Sequence, residues 1–184
     1  MTPALLTSKS NRSSASTCSE ADRIDASEVK SSSTHARLAS GARARMVNLD
    51  AKGRLSVPAR QRELLLDISA GSVVVTIDTQ SSCLVLYPLR EWERIERDVQ
   101  DLPTLNPAVR RFQRLVLGYA SDLDLDGNGR VLLPGALREY AQLDKRVVLV
   151  GQGNKLELWS EPLWEAECKA ALAADGDELP AELL

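Results

Sequence analysis

The pattern of apolar residues separates an N-terminal extension from a part that should fold. Residues 1–43 are rich in Ser, Thr, Ala and Arg without a sustained hydrophobic period, which predicts a disordered extension. In the rest of the chain, short apolar runs rich in β-branched residues alternate with polar turns, which is typical of strands. The runs 73–77 and 83–87 flank a polar turn and predict a hairpin, and the runs 146–150 and 155–159 predict a second hairpin.

Helices are predicted between and after these strands. Short helices over 59–65 and 135–140 should each follow a proline that ends strand pairing. A longer amphipathic helix should follow Pro88, a second has Asn106 as its N-cap, and a last one should begin near Glu161.

One stretch of fourteen residues occurs twice, at 50–63 and at 126–139. Each unit around it has only about 45–50 residues, which is marginal for independent folding. We therefore expect two interleaved β-rich units that bury their strands against each other around a pseudo-twofold axis. At a constant offset of 76 the identical pairs are Asp50/Asp126, Gly53/Gly129, Arg54/Arg130, Pro58/Pro134, Arg62/Arg138 and Glu63/Glu139.

The repeated Asp-x-x-Gly-Arg segment has the chemistry of a tight turn that leads into a strand. Asp50 and Asp126 should accept hydrogen bonds from backbone amides just ahead of them. Gly53 and Gly129 should supply the positive φ that such a turn needs. These four residues are the predicted turn-orienting residues, and an arginine follows each glycine.

Charge is distributed unevenly, although the net charge of the chain is only −3. Residues 36–62 hold seven basic residues against one acidic residue, whereas residues 155–184 hold two basic residues against eight acidic ones. This asymmetry indicates an anionic partner at the basic end. Arg110, Arg111 and Arg114 are interpreted only as a solvated helix face.

Two interpretations of Arg54 and Arg130 remain open at this point. Each arginine can pair with the aspartate four residues before it and simply fix the turn, a contact worth about 0.2–1 kcal/mol when exposed. Alternatively, each can present its planar guanidinium to guanine O6 and N7 in DNA. Arg62 is also open, since it can extend the basic surface or have a structural role between the two units.

No catalytic or metal-binding constellation is evident. Three cysteines lie far apart without metal-ligand spacing, and the single histidine, His35, lies in the extension. We therefore expect no enzyme activity, cofactor, metal site or small-molecule substrate. With no apolar run of membrane-spanning length and no secretory signal, the expected location is the cytoplasm, at the nucleoid if DNA is the partner.

Four segments in the chain together resemble the MraZ family of bacterial transcriptional regulators. They are VNLDAKGRLSVP at 47–58, SCLVLYPLREW at 82–92, RRFQRLVLG at 110–118 and VGQGNKLELW at 150–159. Members of that family usually begin only a few residues before the first of these segments, whereas about forty more precede it here.

The resemblance implies an α+β fold with two swapped-hairpin β-barrel units of the SpoVT-AbrB type, in a pseudo-twofold arrangement with accompanying helices. It also implies a ring-shaped homo-oligomer that binds double-stranded DNA at direct repeats in the promoter of the division and cell-wall gene cluster, mostly as a repressor. The predicted organisation is an extension over 1–43, a first domain over 44–91, a helical linker over 92–119, a second domain over 120–163, and a C-terminal helix with an acidic tail over 164–184.

Residue by residue, the family signature falls on the two turns. The paired arginines are the expected base readers, and Lys52 is the expected phosphate contact, because its ammonium is a flexible point charge. The alternative to a DNA-binding regulator is a non-enzymatic assembly module whose repeat serves only oligomerisation. The candidate DNA-binding residues are Lys52, Arg54, Asn128, Arg130, Arg43 and Arg45.

Overall fold

The computed structural model describes residues 43–173. The predicted disordered extension and the acidic tail therefore lie outside the described residues. The described chain is α+β, with eight strands and five helices in two successive series. In chain order they are β1 Arg45–Asn48, β2 Arg54–Ser56, α1 Ala59–Ser69, β3 Ser72–Ile77, β4 Leu84–Pro88, α2 Leu89–Gln100, α3 Pro107–Gly118, β5 Ser121–Asp124, β6 Arg130–Leu132, α4 Gly135–Tyr140, β7 Arg146–Gln152, β8 Lys155–Ser160 and α5 Glu161–Ala173.

The strands form two antiparallel sheets whose order reflects the internal repeat. The larger sheet has six strands in the order β1-β7-β8-β4-β3-β5, and the smaller one pairs β2 with β6. Exchange of the first four strands with the last four reverses the larger order and leaves the smaller pair unchanged. The two units are therefore related by a pseudo-twofold axis, as the repeat predicts.

Interleaving of the two units follows from the individual pairings. β1 of the first unit pairs with β7 of the second, and β5 of the second unit pairs with β3 of the first. β4 and β8 join the two hairpins in the middle of the larger sheet. Across the described residues this sheet is open, with β1 and β5 at its edges, so the swapped-hairpin barrel remains a prediction.

The central strands of the larger sheet are buried on both faces, which explains their nearly continuous apolar runs. On β7, Val147 and Leu149 belong to the main core, which draws residues from both units, whereas Val148 and Val150 face a second cluster with Trp159. The second cluster packs against α5, and a third cluster joins Val74 of β3 to Trp92 of α2 and Val116 of α3. Because the main core is shared, neither unit has a complete core of its own.

Proline and asparagine begin the helices as predicted. Pro58, Pro88 and Pro134 immediately precede α1, α2 and α4, and the Asn106 side chain accepts a hydrogen bond from the Ala108 amide at the start of α3. The short helix predicted over 59–65 is longer, because Leu65 and Ile68 continue its buried face to Ser69.

Helix α3 is less covered than its apolar spacing suggests. Val116 is buried against β3, but Phe112 and Leu115 remain substantially exposed. Arg110, Arg111 and Arg114 are all exposed, in agreement with a solvated face. Within residues 43–173, none of the helices is long and apolar enough to span a bilayer.

Candidate nucleic-acid interface

The two copies of the repeated motif meet in a two-stranded antiparallel ribbon. β2 and β6 pair with Arg54 opposite Leu132, Leu55 opposite Val131 and Ser56 opposite Arg130. Leu55 and Val131 are fully buried in the main core. Since side chains alternate along a strand, the other four point away from the core, and this outward surface is called the ribbon face below.

Hydrogen bonds at the ends of the ribbon fix the type of each residue pair. The Leu133 amide donates to the Gly53 carbonyl at 2.9 Å, and the Val57 amide donates to the Gly129 carbonyl at 3.0 Å. Hydrogen-bonded and non-hydrogen-bonded pairs alternate in an antiparallel ladder. The Arg54–Leu132 pair is therefore non-hydrogen-bonded, which gives a Cα separation of about 4.5 Å and brings these two side chains close together.

Each turn is held by its own aspartate through nearly identical contacts. Asp50 Oδ1 accepts from the amides of Lys52 and Arg54, both at 2.9 Å. Asp126 Oδ1 accepts from the amides of Asn128 and Arg130 at 2.8 and 2.9 Å. The local prediction for both turns is thereby confirmed.

The aspartates also hold the arginine side chains. Arg54 Nε donates to Asp50 Oδ2 at 2.7 Å, and Arg130 Nε donates to Asp126 Oδ2 at 2.9 Å. The sequence left such an aspartate–arginine ion pair as one of two interpretations of Arg54 and Arg130, and the structure shows that both pairs form. Pairing does not bury the arginines, since 33% of the Arg54 side chain and 27% of the Arg130 side chain remain exposed.

The hydrogen bonds lower the pKa of both turn carboxyls below the ordinary value of 3.8. The main cause is the backbone amide of the following arginine, and the guanidinium adds to the same effect. Burial acts in the opposite direction and is outweighed. Both turns are thus built around an ionised aspartate at neutral pH.

Each turn also contacts an arginine from the opposite unit. Gly129 has φ +70°, and a Cβ there would lie 2.3 Å from Cδ of Arg62. Gly53 has φ +82°, and a Cβ there would lie 2.9 Å from Nε of Arg138. The two arginines therefore cross between the units and pack on the backbone of the partner turn, which supports the structural alternative for Arg62.

The remaining predicted site residues divide into two groups. Lys52 and Asn128 are exposed at the tips of the two turns, beside the ribbon face. Arg43 and Arg45 are exposed too, but Arg45 is the first residue of β1, at the end of that strand away from the turn. Arg45 precedes Asp50 by five positions, or about 16 Å of extended chain. Arg43 and Arg45 are therefore not part of the ribbon face, and their contact with DNA remains a prediction.

Sequence reasoning missed two residues of the ribbon face, Ser56 and Leu132. Leu132 is 56% exposed, although it lies in the apolar run 131–133 that looks entirely buried. The available signal was strand alternation, because Val131 and Leu133 share the opposite side. A three-residue strand is too short for that signal to stand out.

Other chemistry is not evident in the described residues. Across residues 43–173, no group of three or more His, Cys, Asp or Glu residues is placed to hold a metal ion. Cys83 is buried as expected of a small core hydrophobe, and burial raises the pKa of its thiol to about 12. The thiol is therefore protonated and unreactive at neutral pH.

Comparison with known proteins gives a consistent result. The family model of the MraZ protein matches the chain twice, over residues 41–115 and 116–182. The chain is 57% identical over 141 residues to the transcriptional regulator MraZ of Halorhodospira halophila, with 74% of this chain and 92% of that protein covered. It is 55% identical over 131 residues to the transcriptional regulator MraZ of Pseudomonas aeruginosa, with coverage of 71% and 87%.

Proposed function

The chain belongs to the MraZ family, and from that premise we propose that it is a sequence-specific DNA-binding protein that uses the ribbon face to read DNA. Its relatives are named transcriptional regulators, so the chain is a transcriptional regulator and not an enzyme. The proposed target is a set of direct repeats in the promoter of the division and cell-wall gene cluster, including its own gene, mostly with repression as the outcome and at the nucleoid.

The ribbon is the observation that carries this proposal. The major groove of B-DNA is about 12 Å wide and admits a two-stranded β-ribbon. β2 and β6 form such a ribbon, with an apolar side in the core and a side in solvent that carries Arg54 and Arg130 beside a serine and a leucine. The shared core beneath it supplies a rigid platform, which favours accurate placement of base-reading side chains.

Arg54 and Arg130 are spaced for reading nearby base pairs. They occupy diagonal positions of the antiparallel ladder, which places their Cα atoms about 7–8 Å apart. That separation corresponds to about two base-pair steps of 3.4 Å. Each bidentate contact to guanine contributes about 1–3 kcal/mol of discrimination against other bases.

The ion pair with aspartate is compatible with this role and strengthens it. Asp50 binds Nε of Arg54, on the side of the guanidinium nearest the backbone, and holds the side chain in one direction. A side chain that is already ordered loses less conformational entropy when it binds. In this proposal Asp50 and Asp126 are positioning residues, whereas the arginines contact the bases.

The two turns should differ in their attraction to phosphate. In the first turn, Lys52 and Arg54 outnumber Asp50, whereas in the second turn Arg130 is balanced by Asp126 and Asn128 is neutral. We expect Lys52 to contact phosphate and Asn128 to contribute little charge. The first turn should therefore dominate non-specific affinity.

Assembly into a ring is the second part of the proposal. Within the described residues, β1 and β5 are the edges of the larger sheet and occupy equivalent positions in the two units. β1 carries exposed Arg45, whereas β5 carries exposed Asp122 and Asp124. Pairing of β1 in one subunit with β5 in the next is head-to-tail and complementary in charge, and repetition of such a contact gives a ring when the rotation between subunits closes, as we propose here.

The test of DNA reading compares three variants on DNA from upstream of the protein's own gene. Arg54→Ala should retain the oligomer and the melting temperature but lose preference for this DNA over scrambled duplex. Arg130→Ala should have a smaller effect, because its turn has less net charge. Arg111→Ala removes an exposed arginine from α3 and is the matched control, with wild-type binding expected.

Two results would contradict the proposal. If Arg54→Ala keeps wild-type specificity, the ribbon face does not read the DNA sequence. Failure of the wild-type protein to prefer its own upstream DNA at any salt concentration would instead support the assembly module. Size-exclusion chromatography of each variant separates a loss of binding from a loss of assembly.

A further inference from the structure

The ribbon face is less symmetric than the fold around it. At one end, Arg54 stands opposite Leu132, and at the other end Arg130 stands opposite Ser56. The pseudo-twofold axis exchanges Leu132 with Ser56, so equivalent positions hold a large apolar side chain and a small polar one. Leu132 is 56% exposed, whereas Leu55 and Val131 beside it are fully buried.

The surroundings of Leu132 match one particular feature of DNA. Its partner in the ladder is Arg54, and the first turn with Lys52 lies at the same end of the ribbon. In the proposed complex this surface faces phosphates and base edges, where the apolar group available in the major groove is the C5-methyl of thymine. An exposed leucine among cationic side chains therefore fits a thymine that neighbours the base contacted by arginine.

We propose that Leu132 is a specificity-determining residue that contacts a thymine C5-methyl group next to the guanine read by Arg54. The inference rests on the proposed function of the ribbon face. It assigns a composite reader, Arg54 with Leu132, to one end of the ribbon and a simpler reader, Arg130 with Ser56, to the other. A ribbon with two different ends reads an asymmetric sequence in one orientation, which suits direct rather than inverted repeats.

Uracil interference tests the contact even when the exact operator sequence is undefined. Duplex DNA from upstream of the protein's own gene is prepared with random replacement of thymine by uracil, which removes only the C5-methyl group. Bound and free fractions are then mapped, in parallel with methylation interference at guanine N7. In the wild type we expect depletion at a thymine adjacent to a contacted guanine, with about a threefold to fivefold loss of affinity for each methyl removed.

Two reciprocal substitutions make the test specific. Leu132→Ser copies the residue at the equivalent position, and should abolish the thymine signal while the guanine signal remains. Ser56→Leu should create a new thymine signal next to the guanine contacted by Arg130. Leu105→Ala, which alters an exposed leucine between α2 and α3, is the matched control and should leave both signals unchanged.

Three outcomes would overturn the inference. The first is guanine contacts in the wild type without sensitivity to uracil nearby, which leaves the proposed function intact. The second is a thymine signal that survives in Leu132→Ser. The third is a change of oligomer size in Leu132→Ser, which would assign the leucine to a subunit contact. An absence of any guanine or thymine footprint in the wild type would refute the proposed function itself.

Discussion

Glycine at position 129 offers a quantitative test of how the two units lock together. Its φ is +70°, and a Cβ there would lie 2.3 Å from Cδ and 2.6 Å from Nε of Arg62, which comes from the opposite unit. Gly129→Ala therefore combines a backbone penalty with a forced displacement of Arg62. The chain contains two further glycines that separate these contributions.

Gly153 and Gly127 are the matched controls. Gly153 has φ +58°, and a Cβ there would have no atom within 4 Å, so Gly153→Ala measures the backbone penalty alone. Gly127 lies outside the left-handed region and also has open space around it. Gly127→Ala should change the free energy of unfolding by no more than about 0.5 kcal/mol.

The expected magnitudes follow from these geometries. The left-handed conformation costs alanine about 1–2 kcal/mol, and the loss of freedom in the unfolded chain offsets about 0.4–1 kcal/mol of it. Gly153→Ala should therefore destabilise by about 1 kcal/mol. Gly129→Ala must also push the flexible end of the Arg62 side chain out of its rotamer, which adds about 0.5–1.5 kcal/mol for a total of about 1.5–2.5 kcal/mol.

Urea denaturation at one fixed protein concentration measures these differences, because any assembly makes stability depend on concentration. In an Arg62→Ala background the extra cost of Gly129→Ala should disappear, since there is no side chain left to displace. Equal destabilisation by Gly129→Ala and Gly153→Ala would refute the reasoning. It would mean that Arg62 moves away freely and does not hold the partner turn.

Three further predictions address charge. Asp50→Asn with Asp126→Asn should lower stability at neutral pH, and the deficit should close as pH falls through and below 3.8, because the wild-type pKa values are lowered and their stabilisation is lost in acid; unfolding curves that stay parallel at every pH would contradict this. Lys52→Ala should weaken binding to specific and scrambled DNA alike and reduce the slope of log binding constant against log salt concentration by about 0.9, whereas the control Lys169→Ala, at an exposed lysine of α5, should not; an unchanged slope for Lys52→Ala would exclude a phosphate contact. Arg45→Glu should reduce the oligomer size seen by light scattering, and Asp122→Arg in the same chain should restore it; a wild-type size for the single variant would place the subunit contact elsewhere.

The sequence alone determined the features that depend on neighbours within a few residues. The Asp50 and Asp126 turns were predictable because their hydrogen bonds all fall within the five-residue segment Asp-x-x-Gly-Arg. Asn106 caps α3, and proline immediately precedes α1, α2 and α4, for the same local reason. The repeat at a constant offset also predicted two units in a pseudo-twofold arrangement, since one small unit cannot bury its own strands.

Only the tertiary structure decided which strands pair and which side chains meet across the axis. The residues of β1 and its neighbours do not show whether β1 pairs with β7 or with a strand of its own unit, because either pairing would bury the same apolar side chains of β1. The positions of Arg62 against Gly129 and of Leu132 beside Arg54 follow from that choice alone. Contacts between residues more than sixty positions apart are set by the shared core, and a short strand carries too few residues to show which of its sides the core will cover.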